Sequence, residues 1–264
     1  MRRDRAVKLR RDAHRDGPSH LRALAALWAV ACVLPSSVAR AGPPYATDDP
    51  EPVPSRHWEI YLASTHELTR AGVAGAAPFA DVNLGVGPNM HLHALVPLAY
   101  DRPSGGPTSY GLGDIELGAK IRLFQEGETF PMIGIYPAFD FPTGDATKAL
   151  GAGHWRVFLP AWMQKSIGPW TTYGGPGYWI DRGAGRRNSW FLGWALVRRL
   201  SERVSLGGEL FDTTAAQAGD RDNLRFNLGL TVDLSAIDHL LFSAGRSIAG
   251  DTLLQTYVGW QLTI

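Results

Sequence analysis

Asp114, Glu116, Lys120 and Arg122 stand at even positions, while Ile115, Leu117, Ala119, Ile121 and Leu123 take the odd ones. Successive side chains of an extended chain point to opposite faces, so the four charges share one side of a single strand, with neighbours about 7 Å apart. If one side of this strand meets hydrocarbon and the other meets water, the row is a mixed-charge constriction that selects solutes by charge and size. The same residues can instead form salt bridges that fill a narrow lumen, and the two roles are compatible. Outward placement of a midplane Arg or Lys costs about 2–4 kcal/mol, which assigns the charged side to the interior. The expected pore-lining set is Asp114, Glu116, Lys120, Arg122, Arg156, Glu209, Arg225 and Asn227, with Gln164 and Asp233 able to join it.

Two further patterns resemble chemistry. His91 and His93 form a His-x-His pair on one strand face, a spacing that can ligate a metal, but no third ligand follows from spacing. His154 follows Gly151-Ala152-Gly153 and could act as a base beside a nucleophilic serine. Ser166, Ser189, Ser205 and Ser243 all lack a recognisable nucleophile context, so a lumenal or rim histidine is the simpler reading. Gly85-x-Gly87 and Gly111-x-Gly113 precede no helix and read as strand and turn glycines rather than phosphate loops. No catalytic residue, metal site or cofactor is expected.

The elements that must position these residues come next. From about residue 56 to the C-terminus the chain alternates apolar and polar positions in twelve segments, the pattern of an all-β, closed, antiparallel up-and-down transmembrane barrel. The strands fall at about 56–66, 79–86, 90–100, 110–124, 130–141, 154–165, 170–180, 189–199, 203–212, 223–233, 239–246 and 254–264. Pro137 conflicts with the fifth, because a closed barrel has no free edge for proline; a bulge or an early end resolves the conflict. Connections at 87–89, 125–129, 167–169, 200–202 and 234–238 are short. Those at 67–78, 101–109, 142–153, 181–188, 213–222 and 247–253 are longer, which gives periplasmic turns and extracellular loops. Most tryptophans fall near strand ends, where rings suit the headgroup layer, with Trp194 mid-strand.

Residues 1–41 read as a removed signal peptide: an arginine-rich start, an apolar run from Ala23 to Leu34 and a small-x-small site at Ala39-Arg40-Ala41. Cys32, the sole cysteine, lies in that run, so the remainder has no disulfide or thiol chemistry. The leader holds 9 of the 26 Lys+Arg and 3 of the 25 Asp+Glu, leaving 17 against 22, or about −5. A nucleic-acid partner is therefore not implied. No later stretch reaches the roughly 18 apolar residues of a membrane helix, so any spanning is by strands. Residues 42–55 carry five prolines, which excludes ladder pairing through most of the segment, and are expected as a periplasmic lead-in to a barrel over 56–264.

The string Gly42-Pro43-Pro44…Thr47-Asp48-Asp49-Pro50-Glu51-Pro52-Val53…His57-Trp58-Glu59 resembles the start of the mature region in the bacterial family named for the MetA pathway of phenol degradation. So do Gly113-Asp114-Ile115-Glu116-Leu117-Gly118-Ala119-Lys120, Pro142-Thr143-Gly144-Asp145, Leu150-Gly151-Ala152-Gly153-His154, Pro169-Trp170-Thr171-Thr172-Tyr173-Gly174-Gly175 and Leu206-Gly207-Gly208-Glu209-Leu210-Phe211. The resemblance implies an outer-membrane barrel that passes small hydrophobic or aromatic molecules. Barrels of this kind usually end in phenylalanine, whereas this chain ends in Ile264.

Three functions fit these observations. A channel or facilitator for small solutes, surrounded by outer-membrane lipid, comes first. A lipid-acting outer-membrane enzyme comes second, and a closed structural barrel or a soluble periplasmic sandwich third. The oligomeric state is not legible.

Overall fold

The computed structural model describes residues 42–217 and 219–264; the expected signal peptide lies outside the described residues. The strands are β1 (Trp58–Leu68), β2 (Gly72–Gly87), β3 (Met90–Pro103), β4 (Ser109–Leu112), β5 (Ile115–Phe124), β6 (Met132–Ile135), β7 (Ala138–Phe141), β8 (Arg156–Ile167), β9 (Trp170–Asp181), β10 (Ser189–Arg199), β11 (Val204–Thr213), β12 (Asn223–Asp233), β13 (Asp238–Ala249) and β14 (Leu254–Thr263). Both β4 and β5 pair with β3, while β6 and β7 both bridge β5 to β8, so each couple is one span with a break. The result is twelve spans, every neighbouring pair antiparallel, and β1 paired with β14 closes the ring. Closure leaves no sheet edge, so the ladder satisfies backbone groups that hydrocarbon could not.

Period-two alternation decides which side faces out. In β5 Leu117 is 45% exposed, whereas Lys120 is 6% exposed and faces the lumen. Leu62, Leu92, Phe139, Leu192, Leu228 and Val258 continue the outward apolar band, which suits lipid. Trp58, Trp155, Trp190, Trp194 and Trp260 also stand outside, and Trp162 is buried inside.

The break at Pro137 has a local cause. Proline cannot donate to the ladder, and the pairing resumes on either side, with Ala119 N–H donating to the Pro137 carbonyl at 3.1 Å. Tyr136 and Pro137 span two positions, so Ile133, Ile135, Phe139 and Phe141 keep the same facing through the gap.

One expected connection is corrected. Residues 67–78 are not a loop: β2 begins at Gly72, its first residues pair with β1, and only 69–71 connect the two. Gly72 to Ala77 are small and show no side-chain alternation, yet Thr65 to Leu68 pair with Val73 to Ala76 through backbone groups that need none. The strict short/long rhythm fails there, at 104–108, where β3 extends to Pro103 and leaves a connection shorter than 125–131, and at 250–253, where β13 extends to Ala249. Tight turns, including 88–89, 168–169 and 200–203, share one end of the barrel with the start of β1 and the end of β14. The longer connections 142–155, 182–188 and 214–222 lie at the other end.

Candidate functional site

The segment before the first strand lies inside the ring. Five prolines deny it a ladder, so its polar groups are satisfied by side chains of the wall. Ala46 and Thr47 N–H donate to the two Glu209 carboxylate oxygens at 2.9 and 2.8 Å. Val53 N–H donates to His91 Nδ1 at 3.0 Å, Tyr45 OH to the Gly229 carbonyl at 3.2 Å, and Ser243 Oγ to the Pro44 carbonyl at 2.7 Å. Lys120 Nζ lies 3.0 Å from Asp48 Oδ1 and 3.7 Å from Asp49 Oδ1. These partners sit on β3, β5, β11, β12 and β13, around much of the ring. The segment expected as a periplasmic lead-in thus folds into the lumen from the turn end, and Thr47 to Pro50 form its mid-height tip.

Small residues make room for that tip. A Cβ on Gly193 would stand 2.2 Å from Thr47 Oγ1, and one on Gly134 would stand 2.9 Å from Pro50 Cβ. At these two wall positions only glycine lets the segment approach so closely.

The charged wall residues form linked pairs. His93 lies between Asp81 (Nδ1 to Oδ1, 3.1 Å) and Glu116 (Nε2 to Oε1, 3.0 Å). Arg156 donates to Asp140 at 2.6 Å and lies over the Trp179 ring at 5.1 Å. Asn227 donates to Glu209 at 2.6 Å and accepts from Gln255. Arg225 donates to Gln255 at 3.3 Å and covers the Phe211 ring at 4.5 Å.

A cavity of about 1020 Å³ runs from the turn end, at Arg199, Glu202 and Ser235, past Asp48, Lys120 and Glu116 to Tyr136, Phe158, Trp162 and Trp179. On the loop side of the tip, Trp162, Phe191 and Phe211 form a buried cluster with Tyr136 and Phe158 against it. At the loop end itself Asp181 accepts from His154 (2.5 Å) and Arg186 (2.9 Å), tying 142–155 to 182–188. Hydrogen bonds from Thr147 and Lys148 hold the loop carboxyl of Asp145 down at about 2.

Of the residues singled out from sequence, Glu116, Lys120, Arg156, Glu209, Arg225 and Asn227 have their functional groups in these networks. Asp114 and Arg122 lie apart from them. Asp114 accepts the Gly144 and Ala152 N–H groups at 3.0 and 2.6 Å, pinning the 142–155 loop. Arg122 donates to Asn89 Oδ1 and the Pro88 carbonyl, bracing the tight turn. His91 and His93 engage Val53, Asp81 and Glu116 rather than each other's coordination sphere. Sequence reasoning missed the lumenal aromatics Tyr136, Phe158, Phe191 and Phe211. The available signal was their placement out of phase with outward Leu192 and Leu210.

No protein-family model matches the chain, and none of the curated proteins does. Among solved structures it is similar to the COG4313 outer membrane channel from Pseudomonas putida F1, at 17% identity and a TM-score of 0.67, over 82% of this chain and 98% of that one. It is also similar to the KdgM porin (11% identity, TM-score 0.52, 76% and 98% covered) and to the NanC porin (6% identity, TM-score 0.52, 77% and 98% covered). At these identities the likeness is one of fold, that of outer-membrane β-barrel channels and porins.

Proposed function

We propose that the chain is an outer-membrane channel for small solutes, with hydrophobic and aromatic ones foremost, and that residues 42–55 set the width of its path. One observation carries this reading: an apolar exterior surrounds a cavity of about 1020 Å³, lined by charged and aromatic residues, in which the chain's own N-terminal segment is held by Glu209, Lys120 and His91. A packed soluble barrel has no use for a lipid-suited exterior. A lipid-acting enzyme needs a nucleophilic serine beside its histidine, and among the described residues His154 pairs with Asp181 and with no serine. The arginine-rich start and apolar run of residues 1–41 support export, which makes the turn end periplasmic and the loop end extracellular. Glu116 and Lys120 line the path, Arg156, Glu209, Arg225 and Asn227 form the polar networks around it, and Asp114 and Arg122 brace its two rims. The strings at 42–53, 113–120 and 206–211 support a place in the family associated with phenol degradation, and the structural likeness to channels is compatible with it.

The test is solute flux into proteoliposomes. The reading expects saturable uptake of small aromatic solutes above that of empty vesicles, without hydrolysis of phospholipid. Uptake equal to empty vesicles, or phospholipid hydrolysis by the purified chain, would overturn it.

A further inference from the structure

Among the described residues, period-two alternation puts four strand cations on the lipid-facing side, and they are of two kinds. Toward the turn end Lys165 pairs with Glu126 at 3.2 Å, and Arg198 lies over the Trp170 ring at 5.1 Å. Toward the loop end Arg246 stands in phase with outward Phe242 on β13, and Arg102 in phase with outward Leu98 on β3. Both are exposed, and neither has an acid or a ring beside it among the described residues. The turn between β1 and β2 adds Arg70, exposed and equally unpaired. The three belong to one stretch of wall: Gly245 pairs with Gln255, one position short of Arg246, and Leu254, Leu68, Val73 and Arg102 pair in succession. At about 4.8 Å per strand, Arg246 and Arg102 lie about 19 Å apart along the wall, with Arg70 at the turn between them. Glu67 and Asp101 take lumenal positions on the same strands, and Asp251 in the 250–253 turn pairs with none of the three. One row nearer mid-height, His66 and Tyr100 meet across Gly75, with His66 Nδ1 2.6 Å from the Tyr100 hydroxyl.

We propose that this face of the barrel docks a lipid whose disaccharide headgroup carries two phosphates, held by Arg246, Arg70 and Arg102 at the headgroup layer of the outer leaflet. The proposal rests on the channel reading, which places the loop end outside the cell, and adds a partner to it. An outward arginine is costly at mid-membrane and nearly free near the interface, so this row belongs at the headgroup layer. Cations there are drawn to anionic headgroups. The planar guanidinium matches a phosphate with paired N–H donors, and no protein carboxylate occupies these three. One phosphodiester reaches one arginine, whereas a row about 19 Å long suits a broad headgroup with more than one phosphate. The His66 and Tyr100 rings beneath the row present apolar bodies with polar edges, which suit the same layer. The turn end supplies the contrast. Its outward cations are already occupied by Glu126 and Trp170, which leaves no open charge for such a lipid.

The test is native mass spectrometry of the detergent-solubilised mature chain, titrated in turn with diphosphorylated lipid A, monophosphorylated lipid A and dioleoylphosphatidylglycerol. Diphosphorylated lipid A is expected to bind most tightly, the monophosphorylated form several-fold more weakly, and the phospholipid most weakly. Arg102→Gln and Arg246→Gln each remove one exposed guanidinium that no fold contact uses. Each should weaken diphosphorylated lipid A about fivefold and the pair about 25-fold, the equivalent of about 1 kcal/mol per arginine beside an anionic headgroup. Arg198→Gln alters an outward cation at the turn end and should leave that affinity unchanged. Equal affinity for diphosphorylated lipid A and the phospholipid, undiminished affinity in the double variant, or an equal loss in Arg198→Gln would each overturn the docking surface. Single-channel conductance of the same preparations separates the two levels. A conducting barrel without lipid preference sinks the surface and spares the channel, and a lipid-selective barrel that never conducts does the reverse.

Discussion

Replacing Glu209 by leucine removes the acceptor that the tip of the lumenal segment depends on. Glu209 is 3% exposed and receives the N–H groups of Ala46 and Thr47 at 2.9 and 2.8 Å. Hydrogen bonds to a charged group are worth about 1.5–3 kcal/mol each, so losing two amounts to at least about 3 kcal/mol. At about 1.4 kcal/mol per tenfold, that is roughly a 100-fold rise in the population with the tip released. Glu209→Gln keeps one acceptor oxygen and should shift the population only about tenfold, in line with losing one such bond. The assay is the labelling rate of Thr47→Cys by a bulky membrane-impermeant thiol reagent. The only native cysteine, Cys32, lies within the segment expected to be removed, so this thiol is the sole target. Thr47 is fully buried against Gly193 while the tip is seated, and labelling therefore reports release. Equal rates for Thr47→Cys alone and combined with Glu209→Leu would refute the assignment of Glu209 as the anchor.

Other outcomes follow from the same geometry. Gly193→Ala places a methyl where Thr47 Oγ1 lies 2.2 Å away, and should displace the tip and raise Thr47→Cys labelling with Glu209 intact. Lys120→Met strands the carboxylates of Asp48 and Asp49 without their cation, and should lower the thermal midpoint of the barrel or release the tip; breaking a buried pair costs about 3–5 kcal/mol. Leu117→Arg puts a charge on the lipid face and should destabilise the barrel by about 2–4 kcal/mol in bilayer denaturation, more than Leu117→Ala does. The inner cavity carries Asp48, Asp49, Glu51, Glu59, Asp81 and Glu116 around Lys120, so the reversal potential across a KCl gradient should show cation preference.

Much of this was legible because one physical rule governs the strands. Lipid on one side and water on the other force alternation, so Leu224, Phe226 and Leu228 against Arg225 and Asn227 marked β12 at the observed bounds. The rule fails where side chains carry no contrast. Gly72 to Ala77 are small on both faces, so the start of β2 looked like a loop although its backbone pairs with β1. It fails again where both faces are apolar: Phe211 is buried in the lumen beside outward Leu210, and period two alone cannot tell a lumenal ring from a lipid-facing one. Asp114 and Arg122 share a strand face with Lys120, yet they stand at the strand's ends, where the nearest partners are loop and turn backbone. Prolines in 42–55 declared that the segment could not join the ladder. Its destination depended on Glu209, Lys120, His91 and the wall glycines, which are scattered through the sequence and meet only on closure.

Single-channel current across a planar bilayer, compared between the mature chain and the same chain lacking residues 42–55, tests the central claim most directly. The account predicts a small current for the former and a several-fold larger one for the latter. Equal currents, or none through either barrel, would contradict it.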